Sequence, residues 1–311
     1  MKVLFMGTPD FAVPTLERLV SDGHHLVGVI TQPDRPKGRG KKVTAPPVKV
    51  KALELELPVY QPLKVKDPEF VEVIKNLKPD VIVVVAFGQI LSKAILEIPK
   101  YGCINVHASL LPKYRGAAPI HWAVIDGEKE TGVTIMKMEE GLDTGPMLLK
   151  EAIDIGKWDT TGMIHDKLAI LGARSLSRAM ELIKSGQAIF TEQNHEEASY
   201  AVLLKREHEE IDWSRPADEI FNQIKGLDPW PGAYTKLNGE ALKIWSAEPF
   251  VTPFQGRIGE IVLVKPEMGI VVATGLGHLL ITQIQPPGNK RMKTVEYLRG
   301  HSIQVGQFLG A

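Results

Sequence analysis

Val3-Leu-Phe-Met-Gly-Thr-Pro-Asp-Phe-Ala-Val-Pro-Thr-Leu-Glu-Arg-Leu-Val-Ser-Asp-Gly-His-His-Leu-Val-Gly-Val-Ile30 is the stretch on which the fold turns. It opens on the β-rich run Val3–Met6. Phe11, Val13, Leu16, Leu19 and Val20 then recur at helical spacing as far as Asp22, and Gly23 supplies a stop. Leu26–Ile30 is a second β-rich run. The stretch therefore reads as strand, helix, strand.

The same alternation continues to about residue 190. Val81–Val85, Cys103–His107 and Val133–Met138 are apolar runs of strand length. Asp67-Pro68 is a helix-opening pair whose helix reaches the break at Pro79, and Pro119 opens another that ends before Gly127. Ile164, Leu168, Leu171 and Ile183 share one face of a longer helix closing at Gly186. Strands apolar on both faces and alternating with helices imply a mostly parallel sheet covered on both sides. Residues 1–189 thus read as a doubly wound, Rossmann-like α/β domain. Residues 190–208 are polar and aperiodic, as a linker would be. After a helical Pro216–Lys225 the pattern changes to short strands at Ala233–Leu237, Leu242–Ser246, Arg257–Val264, Ile270–Ala273 and Leu279–Gln285, separated by Gly and Pro. Residues 209–311 read as a smaller OB-like β-barrel domain.

Composition narrows the classes further. The 311 residues are 44% hydrophobic and 24% charged, with 37 Lys+Arg against 37 Asp+Glu. A chain of that length suits two domains at about 150 residues each. Zero net charge excludes a uniformly basic nucleic-acid coat. Cys103 is the one cysteine, so neither an internal disulfide nor a CxxC site is available, and an apolar core thiol is its simplest reading. The apolar start at Val3 leaves no room for a signal or transit peptide, and no apolar run approaches membrane-spanning length. A cytoplasmic protein is expected.

Three features could carry chemistry. Asn105 and His107 alternate along Cys103–His107 and so share a face at the carboxyl end of a strand, where open α/β sheets bind ligands. An amide beside an imidazole can stabilise an oxyanion while the imidazole moves a proton, although a satisfied histidine at a strand end gives the same two letters. Gly141-Leu-Asp143-Thr-Gly145 follows the next strand; its carboxylate could pair with His107 and favour the protonated imidazole, or the motif is simply a turn. Residues 35–51 hold seven basic residues and no acidic one. Glycines and prolines there predict an exposed flexible loop, either merely solvated or in contact with a nucleic-acid backbone. Gly7-Thr-Pro-Asp10 replaces a dinucleotide fingerprint, and no Walker loop, zinc HExxH or GxSxG motif occurs.

Asn105-Val-His107, Ser109-Leu-Leu-Pro-Lys-Tyr-Arg-Gly-Ala-Ala-Pro119 and Gly141-Leu-Asp-Thr-Gly145, taken jointly and in order, resemble the folate-dependent formyltransferases. Gly7-Thr-Pro-Asp-Phe11, Gln32-Pro-Asp-Arg-Pro36 and Pro229-Trp-Pro-Gly232 extend the resemblance over nearly the whole chain. The resemblance implies formyl transfer from 10-formyltetrahydrofolate to the amino group of methionine esterified to initiator tRNA, without a metal and by a monomer. It implies Asn105, His107 and Asp143 as the catalytic set, with Gly88, Gln89, Ile90, Leu91, Ser109, Leu110, Leu111 and Pro112 around the folate. Arg35, Lys37, Arg39, Lys41 and Lys42 are then expected to grip the tRNA acceptor stem. Rival readings are a formyltransferase acting on glycinamide ribonucleotide or an amino-sugar nucleotide, a folate hydrolase, and a non-enzymatic RNA-binding protein.

Overall fold

The computed structural model describes residues 1–37 and 42–310. Chain contacts divide it into two units. The first comprises Met1–Pro119, Thr131–Ile153 and His165–Ala201; the second comprises Ile120–Glu130, Asp154–Ile164 and Val202–Ala311.

The first unit is built on a seven-stranded sheet ordered Met147–Asp154, Glu130–Lys137, Cys103–His107, Val81–Val85, Lys2–Gly7, His25–Ile30 and Val59–Tyr60. From Cys103–His107 to Val59–Tyr60 every pairing is parallel. Lys2–Gly7, Val81–Val85 and Cys103–His107 are buried nearly throughout, which is why they are apolar without alternation. The order reverses between Lys2–Gly7 and Val81–Val85, and such a switch point opens a ligand crevice outside the carboxyl ends of the strands. Thr8 bridges those two ends by donating its hydroxyl to the Phe87 carbonyl (2.9 Å). Gly7 is required there, because a Cβ would come within 3.0 Å of the Val85 carbonyl oxygen and closer still to Phe5 and Ala12.

The structure departs from the sequence pattern at four places. Glu130–Lys137 lies antiparallel to Cys103–His107, with His107 opposite Thr134 and Ile104 opposite Lys137. Residues 35–51 are not a loop throughout: Arg35–Lys37 pairs antiparallel with Lys42–Thr44, and Pro47–Glu54 is a helix opened by its proline. Asp67 does sit at the N-cap of Pro68–Leu77, but its side chain makes no capping hydrogen bond. The half-exposed strand Met147–Asp154 escapes the apolar-run criterion because Lys150 and Glu151 interrupt it.

In the second unit the strands run Ala233–Leu237, Glu240–Pro249, His278–Gln285, Gly269–Ala273 and Ile261–Lys265, each antiparallel to its neighbour. Phe308 and Leu309 reach both edges: Leu237 bridges Leu309 and Glu260, just before the last strand, bridges Phe308. Ile220, Phe221 and Ile224 of the helix Ala217–Gly226 fill the core with Leu242, Ile244, Ile261, Ile270 and Ile281. Gly226 lets that helix approach Ile125, whose backbone would stand 3.0 Å from an added Cβ.

Candidate active site

Asn105 and His107 lie two residues apart on Cys103–His107, beside the switch point, with Asn105 opposite Val84. Both are buried, at 9% and 6% exposure. Asn105 makes no side-chain hydrogen bond among the described residues, so its amide remains able to bind an incoming group. His107 Nε2 donates to the Tyr114 carbonyl at 2.9 Å. A carbonyl only accepts, so Nε2 carries a hydrogen and Nδ1 is the nitrogen left to exchange a proton. Nδ1 faces Asp143 Oδ2 at 3.6 Å. A bare Nδ1 lone pair would oppose that carboxylate, whereas a protonated one makes an ion pair with it.

The turn after His107 is held from the neighbouring strand. Thr134, fully buried, donates to the Ser109 carbonyl (2.7 Å) and accepts from the Leu111 amide (3.0 Å). Ser109 in turn donates its hydroxyl to the Lys113 carbonyl at 2.7 Å. These bonds fix the path to Tyr114, whose left-handed φ of 59° aims its carbonyl at His107.

Asp143 reaches the site by an indirect route. Since Glu130–Lys137 is antiparallel, the following loop departs at the level of Ile104 and must run back to His107. The loop closes on itself where Pro146 accepts from the Lys137 amide (2.9 Å), and Gly145 is obligatory because a Cβ would meet the Lys137 carbonyl oxygen at 2.0 Å. Asp143 itself has a left-handed φ of 51°, a region that aspartate tolerates better than most non-glycine residues. Its Oδ2 accepts from the Gly116 amide at 2.8 Å. Gln193 Nε2 donates to the carbonyls of Asp143 and Gly145, both at 2.8 Å. Gln193 Oε1 accepts from Arg115 Nε (3.1 Å) and Nη2 (2.6 Å), and that Nη2 also meets His195 Nδ1 at 3.1 Å. Arg115 and Gln193 are 2% and 4% exposed. Neither stands out in the sequence: Arg115 is one letter of the Ser109–Pro119 motif, and Gln193 lies in the polar run that reads as a linker.

The other expected positions divide by whether their side chains are available. Gly88, with φ 81°, and Ile90, 86% exposed, lie in the segment after Val81–Val85. Gln89 is engaged on both ends, accepting from the Val65 amide and donating to the Pro62 carbonyl. Leu91, Ser109, Leu111 and Pro112 are buried and Leu110 is partly so. Of the basic segment, Arg39 and Lys41 lie outside the described residues, while Arg35 to Lys37 and Lys42 form the paired strands. Arg35 Nη2 donates to Gln32 (3.3 Å). Lys49 and Lys51 are neutralised within the fold, by Asp34 and by Glu17 and Glu54. Cys103 is a core residue, its thiol pushed up to about 12 by burial.

Comparison with known proteins gives matches along the whole chain. Residues 1–180 match the formyl transferase family model and residues 203–302 match the model of the formyl transferase C-terminal domain. A methionyl-tRNA formyltransferase of Bacillus subtilis is 52% identical, the alignment spanning 99% of this chain and 98% of that protein. One from Pelotomaculum thermopropionicum is 54% identical over 100% of this chain and 99% of that protein. Among solved structures, an N-formyltransferase from Helicobacter canadensis in complex with folinic acid and dTDP-3-aminofucose superposes with a TM-score of 0.67 at 20% identity. That likeness spans 90% of this chain and 98% of the other.

Proposed function

The chain belongs to the formyl transferase family, and from that premise we propose that it carries the formyl group of 10-formyltetrahydrofolate to the amino group of methionyl-tRNA. The acceptor follows from one observation: similarity above half identity to methionyl-tRNA formyltransferases runs end to end, through the second unit as well as the first. The N-formyltransferase in complex with dTDP-3-aminofucose, by contrast, shares the fold at 20% identity.

The reaction is an acyl transfer. The amine nitrogen forms a bond to the formyl carbon, the carbonyl becomes an oxyanion, and collapse breaks the bond to N10 of the folate. The amine gives up a proton and N10 receives one. Asn105, whose amide makes no side-chain hydrogen bond among the described residues, donates to the oxyanion, a contribution of roughly 3 kcal/mol for such a donor. His107 keeps Nε2 on the Tyr114 carbonyl and handles the proton at Nδ1, where Asp143 stabilises the imidazolium. The folate is a substrate of this reaction. Backbone at Ala86 and Gly88 takes left-handed φ of 45° and 81°, presenting peptide edges beside the exposed Ile90. Gly88 to Leu91 and Ser109 to Pro112 would thus hold the donor chiefly through backbone, since Gln89 and Ser109 side chains are engaged internally.

Arg35, Lys37, Arg39, Lys41 and Lys42 supply the grip on the tRNA backbone. Net neutrality of the chain limits indiscriminate binding, and this acid-free run concentrates positive charge in the sequence that follows the strand His25–Ile30. The test is transfer of labelled formyl from 10-formyltetrahydrofolate by the purified chain. Label should appear on methionyl-tRNA and not on free methionine. Release of labelled formate without transfer, or labelling of an amino-sugar nucleotide instead, refutes the reading.

A further inference from the structure

We propose that Gln193 is the positioning residue for Asp143: oriented by the buried Arg115 guanidinium, its amide holds the 143–145 backbone so that the carboxylate faces His107. The inference rests on the reading of Asp143 and His107 as the proton-handling pair.

A guanidinium has only donors, so the group it touches must be the glutamine oxygen, and the amide orientation follows. Both hydrogens of Gln193 Nε2 are then aimed the other way, and each finds a carbonyl, at Asp143 and at Gly145. The bonds bracket Thr144 and hold the two residues on either side of it. That matters because Asp143 stands in the left-handed region, which is sparsely populated outside glycine, and the two bonds hold it there. The carboxylate is secured separately, by the amide of Gly116, the residue next to Arg115. Arg115 therefore supports Asp143 twice: through Gln193 to the backbone, and through its chain neighbour to the side chain.

The segment carrying Gln193 is itself tied down on both sides. Thr191 and Met147 exchange two backbone hydrogen bonds at 2.8 Å. Ser199 accepts from the amides of Arg115 and Tyr114, and Tyr200–Ala201 pairs with Arg115–Gly116. Residues 191–201 thus run as a strap across two segments, the one that presents Tyr114 and Gly116 and the one that presents Asp143. His195, on the same strap, also accepts from Arg115 through Nδ1.

The test is a double-mutant cycle on formyl transfer by the full chain, with kcat and both KM values measured for Q193M, D143N and Q193M/D143N, and folding checked by thermal melting. Q193M should lower kcat by about 10²-fold, the scale of a catalytic group displaced by an ångström, with little change in either KM. Added to D143N it should cost little more, because both changes act through one carboxylate. A wild-type kcat for Q193M, or losses that multiply in the double variant, overturns the proposal. A D143N enzyme with full kcat overturns the reading of Asp143 and the proposal with it; loss in D143N but not in Q193M overturns the proposal alone. If Q193M does not fold, Q193E keeps an acceptor for Arg115 and turns an oxygen toward the two carbonyls in place of the two donors. Its kcat should fall likewise, and an unchanged value overturns the proposal.

Discussion

Replacing Thr134 by valine tests whether the turn after His107 is held in the way described. The side chain is fully buried and its hydroxyl serves two backbone groups, the Ser109 carbonyl at 2.7 Å and the Leu111 amide at 3.0 Å. Valine fills the same space and serves neither. A buried backbone group left without its partner costs about 1–3 kcal/mol, so two give roughly 2–6 kcal/mol before the turn relaxes. Relaxation is restricted, because Leu111 is itself fully buried and its carbonyl accepts from Lys150 (3.2 Å). A loss of about 3 kcal/mol is expected, equivalent to roughly 6–12 °C in Tm for a unit of this size. Thr134→Ser is the control: it keeps the hydroxyl, loses one buried methyl and should cost about 1 kcal/mol. Urea and thermal unfolding followed by circular dichroism measure both. If Thr134→Val lies within about 0.5 kcal/mol of wild type, or if serine is as damaging as valine, the hydroxyl does not hold the turn.

His107→Ala should reduce formyl transfer to methionyl-tRNA by about 10²–10⁴-fold in kcat, and full activity in that variant would refute its proton-handling role. Neutralising Arg39, Lys41 and Lys42 together should weaken tRNA binding and flatten its salt dependence, by up to about 0.9 in slope for each phosphate no longer neutralised, while KM for the folate stays unchanged. Equal weakening of folate binding would show that the segment acts otherwise. Cys103 provides a pH test. Burial raises its thiol from 9.0 to about 12, so above pH 9 the unfolded chain loses a proton that the folded chain keeps. Stability should therefore fall with rising pH between 9 and 12, by about 1.4 kcal/mol per unit from this group. Cys103→Ala should show a shallower alkaline slope in urea melts, and an identical slope would contradict the burial of the thiol as its cause.

The parts of the fold visible in the sequence are those whose physics is local. Val81–Val85 and Cys103–His107 can be delimited from their letters because strands buried on both faces are continuously apolar. Met147–Asp154 is hidden because Lys150 and Asp154 on its exposed side, with Glu151 between them, mask the apolar half. Pro47–Glu54 is hidden because glycine and proline just upstream suggest a loop, although a proline at the first turn favours a helix. At the site, Asn105 and His107 are legible through period-two alternation. Arg115 and Gln193 are not. A buried arginine and glutamine have no distinguishing letter pattern, and each looks like surface until its partner is known to be 78 residues away.

Strand direction explains why the hidden residues gather around Asp143 and not around His107. In a parallel strand–helix–strand unit, each loop leaves at the carboxyl edge and delivers its residues to the crevice without further support. His107 and the segment 86–91 arrive that way. The strand before Asp143 runs opposite to Cys103–His107, so its loop leaves at the far edge and must return. Such a loop has no ladder to follow, and its path is set by what it touches: the Gly145 approach to Lys137, the Gly116 amide and the Gln193 amide. The last two come from 27 and 50 residues away, contacts that no local pattern encodes. One reversed strand thus divides the site into a half written in the strands and a half written in long-range hydrogen bonds. Substitutions in the second half should disturb catalysis while leaving the sheet intact.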